Sequence, residues 1–139
     1  MFKAKDIMSA DIVAVAPDDT IDHAISLLVD HETSGLPVVN KDGCLVGVLS
    51  EFDLLELICD CRAEKDKVSQ YMSSDVCKVD EDTSCVDVAD VLRSNHWRRL
   101  PVTQGSRLVG IITRHDLMRF IQEARKRVRK ELATTSSKR

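Results

Sequence analysis

Leu108-Val109-Gly110-Ile111-Ile112-Thr113-Arg114-His115-Asp116-Leu117 is the stretch from which the rest of the chain can be read. It begins as an apolar run with a glycine inside it. It then changes to Thr-x-x-Asp, and Leu117, Met118, Phe120 and Ile121 follow at helical spacing. That is a strand running into a helix, with a hydroxyl and a carboxylate at the first helical turn. The same wording stands earlier as Leu45-Val46-Gly47-Val48-Leu49-Ser50-Glu51-Phe52-Asp53-Leu54. Two copies of so specific a junction mark an internal repeat.

Outward from the junctions, the flanking segments repeat in the same order. Leu36-Pro37-Val38-Val39 precedes the first junction, and the turn Asn40-Lys41-Asp42-Gly43 joins them. Leu100-Pro101-Val102 and the turn Gln104-Gly105-Ser106 do the same for the second. Each pair predicts a hairpin, and the proline is tolerated at a strand start or edge. Farther upstream, Ile12-Val13-Ala14-Val15 and residues 76–79 read as opening strands, closed by Pro17-Asp18-Asp19 and Asp80-Glu81-Asp82. Behind them come two helices. One is capped by Thr20 and carries Ile21, Ala24, Ile25, Leu27 and Leu28 to about Asp30; the other carries Val86, Ala89, Val91 and Leu92. A helix carrying Phe52, Leu54, Leu55, Leu57 and Ile58 follows Ser50. The closing helix from Thr113 is longer, reaching about Leu132, with residues 134–137 expected to fray.

Each copy therefore reads β-α-β-β-α, with a short lead-in ending at Met8 or Met72. The expected division is residues 1–61 for the first motif, 62–67 for a charged linker, 68–124 for the second motif and 125–139 for a basic helix end and tail. One copy of about 60 residues is marginal for a core of its own. The expected fold class is α+β, with an α/β-like alternation, as two copies packed in a pseudo-two-fold pair.

The 139 residues fit one compact domain or two small subdomains sharing a core. Only 4% are aromatic, so Val, Leu, Ile and Ala must form the interior. No apolar run approaches the roughly 20 residues of a membrane span, and no apolar signal core follows the first residues. A cytoplasmic chain is expected, without a membrane partner. The five cysteines are odd in number and irregular in spacing; Cys59-x-Cys61 is too tight for a usual zinc knuckle, so reduced structural thiols are expected. His23, His31 and His96 also lack metal-ligand spacing, and no metal site is expected. No phosphate-binding glycine loop and no Ser/His/Asp or Cys/His order is present, so no catalytic residue is assigned and an enzyme is not expected. The net charge of −3 hides a division: residues 119–139 carry 8 Lys/Arg and 2 Asp/Glu, net +6, and the remainder is net −9.

The duplicated elements resemble a pair of CBS (cystathionine β-synthase type) motifs, together a Bateman module. The resemblance rests on Met8-Ser9 and Met72-Ser73, on the two Leu-Pro-Val strands, and on Gly followed by two apolar residues and Ser/Thr-x-x-Asp. It covers nearly the whole chain apart from the basic tail. It implies a regulatory module that binds an adenosine-containing ligand (AMP, ADP, ATP or S-adenosylmethionine) between the two motifs. It also implies a homodimer and, since no effector domain is visible here, a regulated partner on another chain.

The chemistry of such a ligand can be stated separately. It needs an apolar slot for the base, a carboxylate for the ribose diol, and positive charge for phosphate. A helix start offers free N–H groups to anions. Ser/Thr-x-x-Asp at a helix start is also close to a capping box. Because it occurs twice, each time behind Gly and two apolar residues, ligand binding is read as its main role and capping as secondary. By resemblance, each site pairs the Asp of one copy with the opening strand of the other. The better site would combine Thr113, His115 and Asp116 with Ile12, Val13, Ser34 and Gly35, with Arg99 and its neighbour Arg98 toward the phosphates. The weaker site would combine Ser50 and Asp53 with Val76 and Cys77, and Glu51 adds negative charge there.

Trp97 is read as a packing or dimer-face residue. The tail motif Arg125-Lys126-Arg127-x-Arg129-Lys130 is read as a solvated helix face over Ile121, Ala124, Val128 and Leu132. Aromatic stacking residues are missing from it, so a nucleic-acid partner is not expected. The alternative to a ligand sensor is a dimeric interaction scaffold with degenerate ligand sites.

Overall fold

A computed structural model describes residues 1–59, 66–95 and 98–137. Residues 62–65 of the expected linker, Cys61, His96 and Trp97 lie outside the described residues. The order is α1 (Ala4–Ile7), α2 (Ile21–Asp30), β1 (Gly35–Val39), β2 (Leu45–Ser50), α3 (Glu51–Leu54), β3 (Val79–Asp80), α4 (Cys85–Asn95), β4 (Arg99–Gln104), β5 (Arg107–Thr113) and α5 (Arg114–Ser137). Single 3-10 turns follow α3 (Leu55–Ile58) and stand before β3 (Val68–Gln70). The class is α+β, as expected.

Both predicted hairpins form. β1 pairs antiparallel with β2, and β4 with β5. Asn40 Oδ1 accepts from the N–H of Asp42 and of Cys44, each at 3.0 Å, and closes the first turn. Gly43 completes that turn at φ +80°, a left-handed conformation that favours glycine. Each hairpin carries a register shift at the same place, between Val38 and Val39 and between Val102 and Thr103. The two turns meet head to head. Leu45 N–H donates to Ser106 O at 2.9 Å, and Leu108 N–H donates to Gly43 O at 3.0 Å. This reciprocal pair joins corresponding positions of the two copies and lies at the local pseudo-two-fold.

The opening strands are shorter than the β-branched runs predict. β3 spans only Val79–Asp80, parallel to β4. The strand expected at residues 12–15 is not present; Val15 makes a single parallel bridge to Val38. The cause lies two residues on. In the second copy Glu81 N–H donates to Thr103 O at 2.8 Å and extends the ladder. The corresponding residue of the first copy is Pro17, which has no N–H to give.

The helices show two further differences. The helix expected over residues 51–58 is one α-turn followed by a 3-10 turn. Phe52, Leu55 and Ile58 fall three apart, so they line one side of it and remain exposed. By contrast, α5 does not fray at residue 134 but runs on to Ser137. The Thr134 and Thr135 hydroxyls donate to the carbonyls of Lys130 and Glu131 at 2.9 Å. No glycine or proline interrupts residues 114–137.

The core lies in two clusters, one per copy, and each contains residues from the other copy's lead-in. Val15, Ile21, Ala24, Leu28, Leu36, Val38, Leu49 and Leu54 pack with Val68. Val79, Val88, Leu92, Leu100, Val102, Ile112 and Leu117 pack with Ala4 and Ile7. Backbone bonds match this exchange. Ala4 N–H donates to Thr83 O and Lys5 N–H to Glu81 O, while Val68 N–H donates to Asp19 O and Ser69 N–H to Pro17 O. Ser9 then bonds Ile111, and Ser73 bonds Val48, through both backbone groups. Each cluster is thus completed by residues of the other copy.

Candidate functional site

Each hairpin's return strand ends at the first residue of a capping box. β2 ends at Ser50, whose Oγ accepts from Asp53 N–H at 3.3 Å, and Asp53 Oδ2 accepts from Ser50 N–H at 2.9 Å. β5 ends at Thr113, whose Oγ1 accepts from Asp116 N–H at 3.0 Å, and Asp116 Oδ2 accepts from Thr113 N–H at 2.9 Å. The boxes satisfy donors that a helix start would otherwise leave open. The structural role is thus present in both copies. It uses one oxygen of each carboxylate. Asp53 Oδ2 also accepts from the Ser50 hydroxyl at 2.9 Å. Asp116 differs, because its Oδ1 accepts from Arg119 Nη2 at 2.9 Å.

Both boxes open into one cleft of about 810 Å³ between the copies. Of the residues expected at the better site, Thr113, Asp116, Val13, Ser34, Gly35, Arg98 and Arg99 line it. Ile12 does not, and His115 lines a neighbouring depression of about 660 Å³ beside Arg98, Arg99 and Arg114. All four residues expected at the weaker site, Ser50, Asp53, Val76 and Cys77, line the same main cleft. The two sets of residues therefore share one continuous space.

The floor is set by the hairpins. Glu51 N–H donates to Ser34 O at 2.9 Å, tying the start of α3 to the residue before β1. The buried Thr33 hydroxyl donates to Gly35 O at 3.0 Å and fixes the same corner. Opposite this uncharged corner, the second copy presents Arg98 and Arg99, both exposed. Charge differs between corresponding positions: Glu51 at the first-copy helix start corresponds to Arg114 in the second.

Several lining residues went unnoticed in the sequence. Asp11 and Asp75 face the cleft, and both stand two residues beyond the repeated Met-Ser. The full repeated unit is Met-Ser-x-Asp, which was legible. Arg119 also lines the cleft, three residues after Asp116, at the spacing of a helical ion pair. Cys77 sits half-buried in the wall; burial first and the nearby Asp75 carboxylate second push its thiol pKa up. The thiol is therefore held neutral, as an apolar wall group.

Among the described residues no cluster of three or more His, Cys, Asp or Glu side chains could hold a metal ion. Among them, too, no helix is long and apolar enough to cross a membrane.

The CBS domain family model matches residues 4–60 and 68–123. A CBS domain-containing protein of Bacillus subtilis, YhcV, is 32% identical over 118 residues, covering 84% of this chain and 84% of that protein. Curated relatives differ in length, and the chain spans from 23% to 87% of them. Among solved structures, CBSX2 in complex with AMP is 30% identical, with a TM-score of 0.81 over 90% of this chain and 99% of that one. Its counterpart crystallised as a CBS-pair protein is from Arabidopsis thaliana. The CBS domain pair of MJ0100, in complex with 5-methylthioadenosine and S-adenosyl-L-methionine, is 26% identical with a TM-score of 0.73, covering 89% of this chain and 98% of that one. Two family matches coincide with the two halves that exchange their lead-ins, and on that ground the chain belongs to the CBS domain family as a tandem pair.

Proposed function

We propose that the cleft binds an adenosine-containing ligand, AMP, ADP, ATP or S-adenosylmethionine, and that the chain is a regulatory module rather than an enzyme. The observation that carries this is the convergence of both capping-box carboxylates, Asp53 and Asp116, on one cleft that Arg98 and Arg99 also line. The likeness to CBSX2, solved with AMP, supports it.

Each residue has a role that its chemistry allows. A carboxylate oxygen has two lone pairs, so an Asp held by its cap can still accept from a ribose hydroxyl. Val13 and Val76, one from each copy's opening segment, offer apolar walls to the base. Arg99, with Arg98 beside it, meets the phosphate. The half with Asp116 suits a nucleotide. The half with Ser50, Asp53, Val76 and Cys77 is flanked by Glu51 and suits an uncharged nucleoside end. Bound ligand shifts the pairing of the two copies only as far as it binds one arrangement better, and a partner chain reads that shift. The described cysteines are unpaired, which fits a reducing compartment such as the cytoplasm.

The test is a thermal-shift and calorimetric panel with AMP, ADP, ATP and S-adenosylmethionine. A ligand at 100 times its dissociation constant adds about 2.7 kcal/mol of stability. Binding that disappears in Asp116→Asn, with the fold retained, supports the proposal. No shift with any of them at millimolar concentration removes it.

A second reading, the dimeric scaffold, has one observation in its favour. Phe52, Leu55 and Ile58 are 81%, 62% and 88% exposed, and Met118 and Ile121 occupy the positions corresponding to Leu55 and Ile58 and are also exposed. Such apolar surface on both helix starts suits a homodimer. Light scattering that gives a dimer whose mass is unchanged by every nucleotide, with no ligand heat, favours the scaffold.

A further inference from the structure

The main cleft does not end at its arginines. Thr33, Ser34, Glu51, Arg98, Arg99 and Thr113 line both it and the neighbouring depression, so the two spaces share one rim. Beyond that rim the depression adds Arg114 and His115 to the two shared arginines, facing Glu32 and Glu51. Outside that rim the main cleft carries Asp11, Asp53, Asp75 and Asp116, with Arg119 paired to Asp116. A ligand that spans the rim thus leaves a mainly acidic lining, whose one arginine is paired with Asp116, for a depression where three guanidinium groups and His115 stand with Glu32 and Glu51.

We infer that the outer depression is a subsite for a second and third phosphate, so that this chain prefers an adenosine polyphosphate to AMP. The inference rests on the adenosine-ligand reading of the main cleft and deepens it. A monophosphate is already met by Arg98 and Arg99 on the rim. Arg114 lies past them and has no role for so short a ligand. A chain of two or three phosphates extends over the rim toward Arg114 and His115, and its charge is matched there. The first copy cannot do this, because Glu51, Phe52, Ser34 and Gly35 hold the positions of Arg114, His115, Arg98 and Arg99. The selectivity is therefore one-sided, and a single polyphosphate is expected per chain.

Calorimetry with AMP, ADP and ATP at one fixed ionic strength tests it. In the native protein ATP should bind about tenfold more tightly than AMP, the factor that one well-placed charge-assisted hydrogen bond supplies. Arg114→Ala should bring the ATP-to-AMP ratio close to one; alanine is a good helix former, so the first turn of α5 is kept. Arg129→Ala removes an equal charge about 22 Å farther along the same helix and should leave the ratio as in the native protein. AMP and ATP binding equally to the native protein overturns the subsite alone. A ratio that survives Arg114→Ala overturns it too. Failure of all three nucleotides to bind overturns the adenosine reading and the subsite with it.

Discussion

Met72 stands where a side chain on Gly47 would have to be. A Cβ on that glycine would meet Met72 Sδ at 2.8 Å and the Ser73 carbonyl oxygen at 2.9 Å. Gly110 has the same relationship to Met8, where a Cβ would lie 2.9 Å from the methionine's own Cβ. Each glycine belongs to one copy's return strand and each methionine to the other copy's lead-in. The repeated Met-Ser and the repeated Gly are thus the two sides of one exchanged contact.

Gly47→Ala should therefore loosen the seam between the copies. Overpacking of this kind costs about 1–3 kcal/mol. Half of the obstruction is a flexible methionine and half is backbone, so Met72→Ala in the same chain should recover only part of the loss. Urea unfolding of the two single variants and the double variant measures this as a coupling. Independent, additive losses would show that the methionine does not pack against the glycine.

The capping boxes allow structure and binding to be separated. Thr113→Ala removes the acceptor for Asp116 N–H and should lower stability by about 1 kcal/mol. Asp116→Asn keeps an oxygen that can accept from Thr113 N–H, so it should cost less. The binding effects should run the other way, with AMP heat lost in Asp116→Asn and retained in Thr113→Ala. If both variants lose stability and binding in proportion, Asp116 is a cap and nothing more.

Much of this arrangement was legible because the sequence states it twice. A lone Thr113-x-x-Asp116 is a cap, whereas its recurrence as Ser50-x-x-Asp53 points to two helix starts facing one space. The hairpins were legible from Gly43, Gly105 and the prolines. Three things were not. The continuous apolar run at 12–15 reads as a strand, but strand pairing also needs an N–H, and Pro17 lacks it. The spacing of Phe52, Leu55 and Ile58 fits an α-helix or a 3-10 turn equally over so few residues. The exchange of lead-ins leaves no trace in local pattern, because Ala4, Ile7 and Val68 would be equally apolar packed on either copy. Arg119 was missed because an ion pair at i, i+3 is common on solvated helices; only the fold shows that its partner lines a cleft.

Acid should release the first lead-in early. The Asp82 carboxyl is held below its usual pKa, chiefly by its hydrogen bond from Lys3, then by the charge of Lys3 and by a hydrogen bond from Lys5. A depressed carboxylate contributes stability above its unfolded pKa and loses it as pH falls through the folded value. That window lies below the ordinary carboxylate range of about pH 4. Asp82 is fully exposed, so salt should weaken the effect. Hydrogen exchange at the Ala4 and Lys5 amides, which bond Thr83 and Glu81, should accelerate in that window, whereas in Asp82→Asn it should be faster already at neutral pH and gain no further acceleration there. Equal profiles in the two proteins would dissociate the lead-in from this contact.

Cys77 offers a readout of the cleft that needs no ligand label. Its wall position and Asp75 hold the thiol protonated, and only the thiolate reacts with an alkylating agent. At about pH 8, iodoacetamide should therefore modify the exposed Cys59 before Cys77. Asp75→Asn removes a carboxylate that disfavours the thiolate and should speed the reaction at Cys77. A saturating adenosine ligand covers the wall and should slow it in either protein. Mass spectrometry of the two peptides separates the causes, because a change in ionisation moves the pH at which Cys77 reacts, whereas shielding by ligand lowers its rate at every pH. Rates at Cys77 that match those at Cys59 and ignore ligand would mean that this wall is open to solvent and not part of the binding space.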